Sequence, residues 1–216
     1  YTLEFDAAGL LTNVVVAPAT IKTLVDNGQA VQAPGGLILL SAQSAYRLQT
    51  GIVHNSGTLQ ASGLIKDGGR ILLRASDQIL LGGELRADAA PDSAGHGGQI
   101  TAIADLSHPE SLTQVGALIS AQGGASGGDG GWIETSASRL SVLSTAQVNT
   151  LAPKGKAGQW LLDPYDLTIS SATDQNWSQN SSSYTASGNN SVVNITTLTN
   201  ALSTSSVTIS TGTGGT

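Results

Sequence analysis

Gly68-Gly69-Arg70-Ile71-Leu72-Leu73-Arg74-Ala75 is the stretch that decides the fold of this 216-residue chain. A glycine pair is followed by apolar residues at alternate positions, which is typical of a β-strand with one buried face. The same pattern begins again at Gly35, Gly97 and Gly130, and a weaker copy begins at Ala157. The intervals between the glycine pairs are 33, 29 and 33 residues, and a repeat of this length indicates a solenoid.

A second repeated segment lies between these copies. Residues 25–33 match residues 53–61 at an offset of 28, and the shorter form Gly-x-Leu-x-Ala returns at residues 83–87. A third apolar run, such as residues 78–81, separates the two elements. Each repeat of about 30 residues therefore contains three strand-like segments joined by turn residues. This predicts an all-β chain in which each repeat is one rung of a parallel β-helix, since a single rung cannot bury its own apolar face.

Stacked rungs explain several polar residues. Two pairs of amides align at the offset of 28 residues, Asn27 with Asn55 and Gln32 with Gln60, and aligned amides can form hydrogen-bonded ladders. The variable segments 89–96 and 122–129 both precede a glycine pair, so we expect both to project from one corner of the rung.

The pattern divides the chain into three parts. Residues 1–160 contain the β-helix rungs, with a helical turn expected over Pro18 to Val25, which contains Ile21, Leu24 and Val25. Residues 161–193 form a junction whose Ser/Asn-rich part, 171–191, predicts a long loop. Residues 194–216 predict a short helix and a strand that restart the β-helix. The absence of methionine suggests that Tyr1 is the cut end of a longer protein.

Composition excludes several classes of function. The net charge is −6, and the nine scattered basic residues do not form the cationic stripe that a nucleic-acid partner requires. No run approaches the roughly 18 apolar residues of a membrane span. The lack of cysteine removes disulfide frameworks and cysteine-based zinc sites.

The sequence contains no recognisable cluster of catalytic residues. Some parallel β-helices degrade polysaccharides, but the carboxylates here are dispersed, and none of His54, His96 and His108 lies in a catalytic motif. We therefore predict no catalytic residues and no cofactor. His96 and Asp129 could meet on adjacent rungs, but two ligands do not make a metal site, so no metal is predicted.

Two kinds of surface site remain as weaker candidates. Exposed aromatic residues beside polar groups favour glycan binding, and Trp177 and Tyr184 in the Ser/Asn-rich segment are the best candidates. Trp132, Trp160 and Tyr165 are instead interpreted as packing residues. Four Asn-x-Ser/Thr sequons predict glycosylation sites, at Asn176, Asn180, Asn189 and Asn194.

Three ordered stretches resemble the filamentous haemagglutinin family of two-partner secretion exoproteins, and high-molecular-weight adhesins in particular. The first is Phe5 to Leu11 with Ala33 to Gly36 and Leu39 to Ala42; the second is Gly130 to Ser136 followed by Trp160-Leu161-Leu162-Asp163-Pro164; the third is Ile195 to Ile209.

The resemblance implies a right-handed β-helix exported by an outer-membrane transporter to the cell surface of a Gram-negative bacterium. It implies a role as the structural stem of an adhesin in attachment or biofilm formation. Two alternatives stay open: a carbohydrate-binding module that contacts surface or matrix polysaccharide, and the stalk of a contact-dependent toxin exoprotein. A polysaccharide-degrading enzyme is a third, less favoured interpretation.

Overall fold

The computed structural model describes residues 2–5, 11–15, 21–43, 49–143, 145–163, 167–170, 177–180, 183–186, 191–203 and 206–209. The first strands are β1 (Thr2–Phe5), β2 (Leu11–Val15), β3 (Ile21–Asn27), β4 (Ala30–Gln32), β5 (Leu37–Ala42), β6 (Gln49–Asn55), β7 (Thr58–Gln60) and β8 (Arg70–Ala75). They continue with β9 (Gln78–Leu81), β10 (Glu84–Arg86), β11 (Gln99–Ala104), β12 (Leu112–Val115), β13 (Leu118–Ser120), β14 (Trp132–Ser136), β15 (Arg139–Leu143) and β16 (Gln147–Asn149). The last elements are β17 (Gln159–Asp163), β18 (Leu167–Ser170), β19 (Trp177–Asn180), β20 (Ser183–Ala186), β21 (Ser191–Asn194), helix α1 (Ile195–Leu202) and β22 (Ser206–Ile209).

Three parallel sheets run the length of the molecule. Sheet 1 orders β3-β6-β9-β12-β15 and ends with the antiparallel strands β20 and β19. Sheet 2 orders β4-β7-β10-β13-β16, and sheet 3 orders β5-β8-β11-β14-β17-β22. Each turn of the chain adds one strand to every sheet, which gives about five coils of roughly 29 residues. The predicted parallel β-helix is confirmed.

The core is built from rows of equivalent residues that point inward from successive rungs. In sheet 3 one row is Ile38, Ile71, Ile100, Ile133 and Trp160, all buried. The sheet 2 row begins at Val31 and continues with buried Leu59, Leu85, Ile119 and Val148. Because each inward residue contacts its equivalents above and below, a thin core of aliphatic residues is closed without many aromatic side chains. The exception is Trp160, whose indole Nε1 donates to Thr135 Oγ1 at 3.0 Å and so keeps a buried polar pair satisfied.

Both predicted amide pairs are confirmed. Asn27 Nδ2 donates to Asn55 Oδ1 at 2.8 Å, and Gln32 Nε2 donates to Gln60 Oε1 at 3.0 Å. The Asn55 side chain is fully buried, and its own Nδ2 donates to the Gly57 carbonyl at 3.1 Å. The buried amide is therefore paired at both ends, which a polar group in the core requires.

The corner between sheets 2 and 3, called here the glycine corner, is where the paired glycines lie. A Cβ built on Gly131 would be 2.0 Å from the Gly98 carbonyl oxygen, and a Cβ on Gly98 would be 2.0 Å from the Gly69 carbonyl oxygen. Successive rungs thus approach through their backbones, and glycine is required for space at these positions.

The insertions 89–96 and 122–129 stack on each other at this corner, as predicted. Backbone N–H groups of Gly124 and Ser126 donate to the carbonyls of Gly95 and Ser93, at 2.9 and 3.0 Å.

Two sequence interpretations are corrected. The sequence predicts a helical turn over Pro18 to Val25, but its described residues from Ile21 onward belong to strand β3, which pairs in register with β6. The loop predicted over 171–191 contains β19 and β20, which form an antiparallel hairpin. Ser/Asn composition predicted a loop, but the edge of β15 offers unpaired backbone groups, and β20 pairs with that edge.

The chain after the hairpin returns to the rod. Strands β18 and β21 pair in parallel as a separate two-stranded sheet, and α1 follows β21 directly. Strand β22 then pairs in parallel with β17 and extends sheet 3. The division of the chain at residues 161 and 194 stays a prediction.

The glycine corner gives a direct test of the backbone approach. We expect Gly131→Ala to destabilise the rod by about 1–3 kcal/mol, the range for overpacking a close contact. Gly82→Ala is the matched control, because a Cβ there would be 3.8 Å from its nearest neighbour, the Asn55 carbonyl oxygen. Urea unfolding followed by circular dichroism measures both variants. Equal stability of the two would contradict the steric account of the corner.

Candidate ligand-binding groove at the glycine corner

An open groove of about 720 Å³ runs along the glycine corner, parallel to the direction in which the rungs stack. We call it the glycine-corner groove. Its lining comprises Gly68, Gly69, Arg70, Gly97, Gly98, Gln99, Asp129, Gly130, Gly131, Trp132, Lys156, Ala157, Gly158, Gln159 and Ser206. Equivalent residues of successive rungs line it, and adjacent rungs are spaced by about 4.8 Å, so the groove repeats along the rod.

The floor of the groove is bare backbone. Its glycines cannot carry side chains for the steric reason given above, and their N–H groups are already paired, either within the rung or with the next one. Gly98 N donates to the Ala87 carbonyl at 2.6 Å, and the Gly98 carbonyl accepts from Trp132 N at 3.0 Å. Gly131 repeats this arrangement one rung further, with Ala121 and Gln159. The floor is therefore glycine backbone whose N–H groups are already paired, and hydrogen-bond donors for a ligand must come from the walls.

One wall is formed by the first residues of the sheet 3 strands. In register these are Arg70, Gln99, Trp132, Gln159 and Ser206. The side chain of Trp132 is half-buried, whereas Arg70, Gln99 and Gln159 are exposed. The Trp132 indole thus stands between two exposed amides, one on each neighbouring rung.

The opposite wall continues a row of residues that immediately precede the glycine pairs. His96 N donates to Asp67 Oδ1 at 2.8 Å, Asp129 N donates to His96 Nδ1 at 2.9 Å, and Lys156 N donates to Asp129 Oδ1 at 2.8 Å. Each side chain therefore accepts from the backbone of the next rung. This ladder fixes the wall, and it requires His96 Nδ1 to be unprotonated so that it can accept.

The predicted meeting of His96 and Asp129 is confirmed, but it is a hydrogen bond to the backbone. No group of three or more His, Cys, Asp or Glu side chains is placed to hold a metal ion within the part of the chain that the structure describes. Over the same residues no helix is long and apolar enough to cross a membrane.

The other predicted site residues lie on the late strands or outside the described residues. Trp177 begins β19 and Tyr184 lies in β20, where their register partners are Ala186 and Gln179. Among the sequons, Asn180 ends β19 and Asn194 ends β21, while Asn176 and Asn189 lie outside the described residues. Glycan binding and glycosylation at these positions stay predictions.

The predicted packing residues Trp160 and Trp132 occupy different positions in the fold. Trp160 is a packing residue, 2% exposed, as predicted, and Tyr165 lies outside the described residues. Trp132 is half-buried, which is compatible with the predicted packing role, and it also lines the groove. The signal for this was its place in the repeat, since the residue directly after each glycine pair points outward.

Two ionisable groups on sheets 2 and 3 have perturbed pKa values. The hydrogen bond from Arg86 Nε to Glu84 Oε2, 3.0 Å long, raises the pKa of Arg86. Burial raises the pKa of the Asp163 carboxyl above its ordinary 3.8. Asp163 Oδ1 is buried and has no hydrogen-bond partner among the described residues. An ionised Asp163 is therefore unfavourable in the folded chain.

This raised pKa predicts a pH-dependent gain from Asp163→Asn. The folded state holds the proton more tightly than the unfolded state, so ionisation costs stability as the pH rises above 3.8 and through the folded pKa. We expect Asp163→Asn to raise Tm at neutral pH and to leave it unchanged below pH 3.8. Thermal scans at both pH values test this, with Asp92→Asn, an exposed carboxyl, as control. A neutral-pH loss of stability would contradict the assignment.

No family model matches the chain, and neither a curated protein nor a solved structure matches it. The sequence patterns and the geometry of the rod therefore carry any inference about function.

Proposed function

We propose that this chain is a structural stem that displays other parts of a large secreted bacterial surface adhesin. The single observation that carries the proposal is the in-register stacking of all three sheets over about five coils. Every rung is held by parallel ladders on three sides, so the chain forms a stiff rod. A stem needs length and rigidity, and this architecture supplies both.

The end of the rod supports the same role. Val31 is 38% exposed, whereas its equivalents Leu59, Leu85 and Ile119 on the following rungs are fully buried. On the first rung the sheet 2 position is thus more exposed than its equivalents, although Ile38 of sheet 3 on the same rung is already buried. Such a surface can accept a further coil, which is how solenoids extend.

The proposed family and the proposed route of export to the cell surface are supported by the sequence resemblance. The stretch Gly130 to Ser136, followed by Trp160 to Pro164, supports assignment to the filamentous haemagglutinin family. In the fold Trp132 to Ser136 lie beside Gln159 to Asp163, since β14 and β17 pair in parallel. The proposal therefore includes export by an outer-membrane two-partner transporter and a cell-surface location.

A display experiment tests the stem. The chain is fused behind the secretion domain of a two-partner system, given a carboxyl-terminal epitope, and co-expressed with the cognate transporter. We expect the epitope on the cell surface and the rod resistant to protease. A second version carries three additional copies of residues 70–98, each of which begins and ends at equivalent positions of the repeat. It should lengthen the purified rod by about 14 Å, as measured by small-angle scattering.

The control is an insertion of three copies of residues 70–83, which end within a rung and break the register. We expect this variant to lose protease resistance. Retention of the parent fusion inside the cell, or no lengthening with whole-rung copies, would overturn the stem proposal.

A further inference from the structure

We propose that the glycine-corner groove binds an extended polysaccharide that carries carboxylates, laid along the axis of the rod. This is a function beyond the stem, because a stem needs length but no ligand. The inference rests on the groove's floor, its aromatic wall and its charge.

The shape of the groove suits a linear, repeating ligand. Its walls repeat with each rung, about every 4.8 Å, and its floor is glycine backbone from Gly68 to Gly158. A peptide strand would bind by adding to unpaired backbone groups. The N–H groups of the floor glycines are already paired, within the rung for Gly98 and Gly131, so a peptide strand would find no free glycine donor there. A sugar ring needs no such groups, since its C–H face can rest on glycine backbone and its hydroxyls can turn to the walls.

The Trp132 wall supplies both contacts that recognise a sugar. The half-buried indole offers an apolar ring face beside the glycine floor, an aromatic anchor with little entropy to lose. Exposed Gln99 and Gln159 flank it on the rungs before and after. Gln99 Nε2 already donates to Thr101 Oγ1 at 3.5 Å, but an amide has two N–H donors and an oxygen acceptor, so one such bond does not use up its capacity to contact a hydroxyl.

The charge of the lining selects an acidic polymer. Arg70 and Lys156 lie on opposite walls, and neither makes an ion pair with the residues that the structure describes. The acidic residue of the lining is Asp129, and its Oδ1 already accepts from Lys156 N. The groove therefore has two cationic side chains without an ion pair and one carboxylate that already accepts a hydrogen bond. This local excess of positive charge contrasts with the net charge of −6 for the whole chain. A carboxylate on the ligand would complement them.

Isothermal titration of the intact chain with oligogalacturonate tests the proposal, with a cello-oligosaccharide of equal length as the neutral probe. We expect heat with the acidic probe, little with the neutral one, and affinity that falls as salt is added. Trp132→Ala should weaken binding about tenfold, the scale of one lost stacking contact, while Trp132→Phe retains part of it.

Matched variants separate the groove from the rest of the surface. Lys156→Gln should weaken binding, whereas Lys154→Gln, an exposed lysine two residues away and outside the lining, should not. Trp177→Ala tests the hairpin as an alternative site. Circular dichroism confirms that each variant is folded.

Three outcomes would overturn the proposal: no binding of oligogalacturonate, equal binding of the neutral probe, or loss of binding on Trp177→Ala with Trp132→Ala unaffected. None of them bears on surface display, so the stem proposal stands or falls separately.

Discussion

The parallel hydrogen-bond ladder between rungs is the constraint on which the rest of this structure depends. It holds neighbouring strands at one spacing on three sides of the coil, so every residue is forced next to its equivalents one rung away. An inward position must then be apolar or find a partner at the same position of the next rung. The Asn27–Asn55 pair meets that condition with an amide, and the row through Leu59 and Leu85 meets it with aliphatic side chains.

The glycine corner is where the same constraint is most severe. The backbones of successive rungs approach there so closely that a methyl group on Gly131 would meet the Gly98 carbonyl. The groove is a by-product of this exclusion, because a corner without side chains leaves open space between the flanking rows. Ladder geometry also arranges the walls, since Gln99, Trp132 and Gln159 lie in line only because their strands pair in register. A packing requirement and a candidate binding surface thus have one physical origin.

Parallel stacking ends at β15 in sheet 1 but continues past β17 in sheet 3. Sheet 1 is closed by the antiparallel β19–β20 hairpin, while sheet 3 continues from β17 to β22. Near this change the core admits Trp160, and Asp163 is partly buried although it lies on the other face of the same strand. The Trp160 indole is satisfied by Thr135, whereas the Asp163 carboxyl has a raised pKa from burial.

The sequence by itself determined the repeat, the three strands per rung and the residues that face inward, because alternation and a fixed period are local properties of the chain. It also determined that Asn27 meets Asn55, since an offset of one rung becomes a contact once rungs stack. It failed for residues 171–191, where the open edge of β15 rather than composition decided that strands form. Only the tertiary structure decided that Trp132, Gln159 and Lys156 share one groove. These residues are brought together by ladder register and by the absence of side chains at the glycine corner, which no single stretch of sequence contains.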